Sequence, residues 1–122
     1  MIGYVTIGVN DFEAAKNFYD KALAGLGAKR AFANERMQGY ASKISPAQLM
    51  VCTPFDGAAA SAGNGTMVAL LAPSQEAVNQ VYRDALAAGG TDEGAPRDHG
   101  GGFYGGYFRD PDRNKICIFK MG

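Results

Sequence analysis

Tryptophan is absent from these 122 residues, histidine occurs once and cysteine twice. Each scarcity excludes something. Histidine is the commonest metal ligand and general base, so chemistry built on several imidazoles has only His99 to draw on. Two cysteines, Cys52 and Cys117, sit in separate strand-like runs; at this count a disulfide scaffold is not expected, and both thiols should stay reduced. Charge of one sign is also missing. Lys and Arg total 12, as do Asp and Glu, so no basic excess points to nucleic acid or an anionic membrane. A neutral surface does little to keep copies apart and permits a homodimer. No apolar run approaches a membrane span, and the amino terminus lacks the basic-then-apolar pattern of a signal peptide, so the expected compartment is the cytoplasm.

What is present is enough for one core. The hydrophobic fraction is 47%, and the length suits one domain, residues 1–122. Its organisation is a repeat. Ile2 to Gly27 reads as a strand, a capped amphipathic helix and a glycine stop, and Thr66 to Gly90 reads the same way. Glu13 matches Glu76, Tyr19 matches Tyr82, Ala22-Leu23-Ala24 matches Ala85-Leu86-Ala87, and Gly27 matches Gly90. Asp11 and Ser74 are the helix caps, with Glu13 and Glu76 in the first turns, where the helix dipole favours them. The spacing assigns Tyr19 and Tyr82 to buried helix stripes.

Three strands follow each helix: Lys29 to Asn34, Arg36 to Ser42 and Gln48 to Thr53, then Thr91 to Arg97, Phe103 to Arg109 and Lys115 to Lys120. The glycine-rich stretch 55–65 reads as the linker between module 1 (1–54) and module 2 (66–122). The fold class is therefore α+β, two βαβββ modules with curved mixed sheets around a cleft. Strand parity sends Val5, Ile7, Val68, Leu70, Ile116 and Ile118 to the helices. It sends Tyr4, Met50, Cys52, Met67, Cys117 and Phe119 to the opposite faces, whose softer, more aromatic lining suits a ligand cleft.

Paired βαβββ modules, the opening IGYVTIGVND, the Phe18-Tyr19 pair in the first helix and the closing RDPDRNKICIF together resemble the vicinal oxygen chelate superfamily, over essentially the whole chain. That group includes glyoxalase I, bleomycin resistance proteins, fosfomycin resistance enzymes and extradiol dioxygenases. Its members commonly read DPDGN in the last hairpin and pair as homodimers. Its enzymes hold a divalent metal through a His on the first strand, a His on the first strand of the second module and a Glu on the last strand, with a fourth ligand in some. Carried over, these positions are Tyr4, Met67 and Cys117, with Cys52 as the fourth. None is His, Asp or Glu, whereas a borderline divalent ion wants imidazole and carboxylate. The resemblance thus implies a retained fold, no metal and no cofactor. The cleft would bind a small, partly aromatic molecule, as bleomycin-type resistance proteins do without a metal. The alternative is a metal-dependent lyase or dioxygenase of the glyoxalase type with a non-standard ligand set.

Other readings compete at single residues. The two thiols and a thioether suit a soft ion such as Cu(I), or the cysteines are small apolar fillers, as free cysteines usually are. His99 is either an acid/base at the mouth of the cleft or an ordinary loop residue, with no nucleophile beside it. The glycines from Gly100 to Gly106 follow no strand-to-helix turn and do not match a phosphate-binding loop. Phe103, Tyr104 and Tyr107, set among those glycines, form a stacking surface for a planar ligand or pack as ordinary sheet. The candidate ligand-binding set is Tyr4, Met50, Cys52, Met67, Tyr104, Tyr107, Cys117 and Phe119.

Overall fold

A computed structural model describes residues 1–122. The first module runs β1 (Tyr4–Gly8), α1 (Phe12–Ala22), β2 (Lys29–Ala33), β3 (Met37–Ala41) and β4 (Gln48–Cys52). The second runs β5 (Val68–Leu71), α2 (Gln75–Ala87), β6 (Thr91–Asp98), β7 (Phe103–Arg109) and β8 (Lys115–Met121). The α+β fold of two βαβββ modules is as the sequence implied. Thr66 and Met67, expected inside the fifth strand, precede β5.

Local chemistry explains the helices. The Asp11 carboxylate accepts from the Ala14 N–H at 3.0 Å, and the Ser74 hydroxyl accepts from the Ala77 N–H at 3.1 Å, so each cap satisfies a free donor of the first turn. After α1 the chain tightens into a 3-10 turn, Ala24–Leu26, and Gly27 ends it at φ 66°, a left-handed value that glycine takes without strain.

The strands form two four-stranded mixed sheets, ordered β1-β4-β3-β2 and β5-β8-β7-β6. In each, the first strand pairs in parallel with the last one of its module, and the remaining pairs are antiparallel. β1 and β5 are therefore free edges. So is β6, whose pairing with β7 is broken by two register shifts. Those irregularities accommodate Pro96, and Gly106 faces it: a Cβ on Gly106 would lie 2.9 Å from the proline ring.

One core joins both modules. Ile7, Leu49 and Val51 from the first sheet, Phe18, Tyr19, Val78 and Val81 from the helices, and Phe108, Ile116 and Ile118 from the second belong to a single buried cluster. The Phe18 ring on α1 lies 6.3 Å from that of Phe108 on β7. The helices thus lie against each other between the sheets. The sheet faces opposite the helices are turned outward, and the cleft is not closed within one chain.

The last hairpin locks the modules together. The buried Asp110 carboxylate accepts from the Asp112 and Asn114 N–H groups through one oxygen. Through the other it accepts from the Tyr19 hydroxyl at 2.7 Å and the Asn114 side chain at 3.0 Å. Asn114 also donates to the Gly8 carbonyl, and Asp112 accepts from Asn10. The DPDRN run is therefore a clasp from module 2 onto module 1, as well as a turn. Arg113 holds φ 72°, the left-handed region, and is the only non-glycine residue to do so.

Candidate functional site

The outward face of the second sheet carries an aromatic floor. By register Phe103, Gly105, Tyr107 and Arg109 on β7 share this face with Lys115, Cys117 and Phe119 on β8. The Phe103 and Phe119 rings are stacked, 5.2 Å apart and 9° from parallel, beside the bare backbone of Gly105. His99 stands edge-on to Phe103 and Tyr107, at 5.6 and 5.9 Å, with its Nε2 3.1 Å from the Gly105 carbonyl. The Lys115 ammonium lies 5.5 Å from the centre of the Tyr107 ring. Burial and the neighbouring Cys117 push the Tyr107 hydroxyl above its ordinary range, and Arg97 opposes this. Burial likewise pushes the Cys117 thiol up, against Tyr107 and Lys115.

The outward face of the first sheet is plainer. Tyr4, Thr6, Gln48, Met50 and Cys52 lie on it by register. Gly39, opposite Met50, leaves a bare spot that the Gln48 side chain covers: a Cβ there would meet its Oε1 at 2.5 Å. That oxygen is buried without a hydrogen-bond partner. Tyr4 is 59% exposed, Met67 43% and Leu71 41%, so these apolar surfaces are open at the free edges. A cavity of about 340 Å³ lies between those edges and reaches both faces of the second sheet, with Met67 and Phe119 among its lining residues. Val5, Leu49, Val68, Leu70, and Leu23 and Leu26 just after α1 also line it, and 15 of its 18 lining residues are hydrophobic.

Of the sequence-derived residues, the structure brings Tyr107, Cys117 and Phe119 together on the second sheet, and Tyr4, Met50 and Cys52 on the first. It does not bring the two groups together within one chain. Tyr104 belongs to neither. Its hydroxyl donates to Asn79 on α2 at 2.7 Å, and it packs against the core. Positions 104 and 107 differ by an odd number, so one regular strand cannot present both on one face. Cys52 and Cys117 are both buried and unbridged. Met50 is also buried, at 7% exposure, so it forms floor rather than rim. Tyr19 lies in the core as its spacing indicated; Tyr82 is half-buried and donates to the exposed Asp92 at 2.6 Å.

Two cations were missed. Lys115 shares the parity of Cys117 and was legible on that count. Arg97 lies opposite Gly105 on β6, a placement set by register shifts that no sequence signal announced. No group of three His, Cys, Asp or Glu side chains is positioned to hold a metal ion. No helix is long and apolar enough to cross a membrane.

This architecture has known counterparts. A glyoxalase/bleomycin resistance protein from Albidiferax ferrireducens superposes with a TM-score of 0.91 at 36% identity, over 100% of this chain and 99% of that one. A glyoxalase-related enzyme from Fulvimarina pelagi gives 0.76 at 23% identity, over 98% and 87%. A lactoylglutathione lyase from Agrobacterium tumefaciens gives 0.70 at 18%, over 98% and 92%; at such identities these last two share the fold alone. No protein of curated function matches the chain. The sequence model of the glyoxalase/bleomycin resistance protein/dioxygenase superfamily matches residues 1–118, and with two βαβββ modules behind that match the chain belongs to this superfamily.

Proposed function

We propose that the chain is a metal-free, small-molecule-binding member of its superfamily, with each cleft completed between two copies. The observation that carries this is the donor set. At the family's ligand positions stand a phenol, a thioether and two buried thiols, Tyr4, Met67, Cys52 and Cys117. Burial disfavours the Cys117 thiolate, the form that binds metal. His99 does not restore a site, because its Nε2 engages a backbone carbonyl and no cluster of ligating groups surrounds it. These residues do not fit nickel, zinc, manganese or iron.

Pairing is supported by the edges. β1 and β5 each have a paired neighbour on one side only, and an unpaired strand edge is a template for pairing with another chain. A partner's second sheet set against the first sheet would enclose Tyr4, Met50 and Cys52 with Tyr107, Cys117 and Phe119. The ligand such a cleft suits is small and partly aromatic, stacking on Phe103 and Phe119.

Two measurements on the purified full chain test this. Elemental analysis should give far less than one divalent metal per chain; stoichiometric nickel, zinc, manganese or iron overturns the metal-free reading. Sedimentation equilibrium should give twice the 12.8 kDa chain mass, and a monomer at micromolar concentration overturns the shared cleft.

A further inference from the structure

The charges on the second sheet's outward face specify the ligand further. Arg97, opposite Gly105 on β6, and Lys115, over the Tyr107 ring at 5.5 Å, flank Tyr107 there. Neither cation forms an ion pair: the three pairs in the molecule are Lys16 with Glu13, Arg30 with Asp20, and Arg109 with Glu93. Arg97 makes one 3.4 Å bond to a neighbouring carbonyl. The face holds one carboxylate, Glu93, and Arg109 occupies it at 3.2 Å.

A second copy would not neutralise them. The strands of the first sheet read YVTIG, KRAFA, MQGYA and QLMVC, with no Asp or Glu among them. A cleft closed by that sheet therefore keeps a net positive charge in a partly desolvated space, where charge interactions strengthen. Such a cleft attracts an anion and repels a divalent cation.

We infer that the outward face of the second sheet is a binding site for a planar aromatic acid, with its ring on Phe103 and Phe119 and its carboxylate between Arg97 and Lys115. This rests on the ligand-cleft reading above and adds the chemical class. The aromatic floor supplies area, and the two cations supply selection for one negative charge.

The test compares 2-naphthoate with the neutral 2-naphthalenemethanol by calorimetry, at low and high salt. The proteins are the full chain and its Arg97→Gln, Lys115→Gln double variant, Arg97 being exposed and Lys115 half-buried. The acid should bind about tenfold more tightly than the alcohol, the yield of two partly exposed ion pairs, and the preference should fall to about twofold in the double variant or in high salt. Equal binding of acid and alcohol would overturn the anion site while leaving an aromatic-binding cleft. A preference that survives the double variant would overturn the assignment to Arg97 and Lys115. Binding of neither probe would overturn the cleft reading and this inference together.

Discussion

Replacing Tyr19 with Phe removes one oxygen from the centre of the molecule. That hydroxyl donates at 2.7 Å to Asp110, and the two residues are 0% and 1% exposed. The carboxylate keeps three donors, from Asp112 and twice from Asn114, so it is weakened rather than stripped. A hydrogen bond to a charged group contributes about 2 kcal/mol, and its loss here falls on a buried acceptor. For a chain of this length that loss lowers Tm by roughly 8 °C. The sign of the pH dependence follows from Asp110. Burial pushes its carboxyl above the ordinary Asp range, with Tyr19 and Asn114 opposing. A carboxyl raised in the fold favours the protonated folded state, so its contribution is full in acid and is lost as pH rises through the folded value. Removing Tyr19 raises it further. The deficit of Tyr19→Phe should therefore be full at neutral pH and shrink in acid, where Asp110 carries its proton. Urea denaturation followed by circular dichroism at fixed protein concentration, at pH 7 and near pH 4, reads both. Tyr82→Phe is the control, since Tyr82 occupies the matching position but donates to the exposed Asp92. A loss below about 0.5 kcal/mol at pH 7, or one equal to that of Tyr82→Phe, would refute the clasp as a source of stability.

Arg113→Gly relieves a left-handed backbone and should stabilise the chain by about 0.5–1 kcal/mol, read by the same denaturation. Leu71→Arg places a charge on an exposed apolar residue of the free edge strand β5; if that edge pairs with a second copy, the dimer dissociation constant should rise at least about tenfold in sedimentation. Both cysteines are buried, so a thiol-specific chromophore should label neither quickly in the folded chain and both after urea; rapid labelling of the native chain would contradict their packing. The bond from Arg30 holds the Asp20 carboxyl below its ordinary range; its stabilisation is present above the unfolded value and lost as pH falls. Asp20→Asn should therefore flatten the acid limb of the stability profile.

The sequence by itself determined the modules. Periodicity, two side-chain caps and an internal repeat are local signals, and each strand and helix they imply lies close to where they put it. The residue types at Tyr4, Met67, Cys117 and Cys52 were likewise legible, because a residue type needs no geometry to be read. Only the tertiary structure decided how the modules meet. Parity says which face of a strand is soft, yet it does not say whether two soft faces turn toward each other or apart; the packing of Phe18 against Phe108 settles that they turn apart. The clasp was likewise invisible, because Tyr19 and Asp110 lie far apart in the chain and each is an ordinary residue in its own element. Of the two readings open for Tyr104, packing on the core is the one the structure shows, since positions 104 and 107 fall on opposite faces of β7. Arg97 reached the aromatic floor through register shifts on an edge strand, which depend on how β6 accommodates Pro96 beside Gly106. Local preference fixes elements over a few residues, whereas the site is made by side chains that only packing brings together.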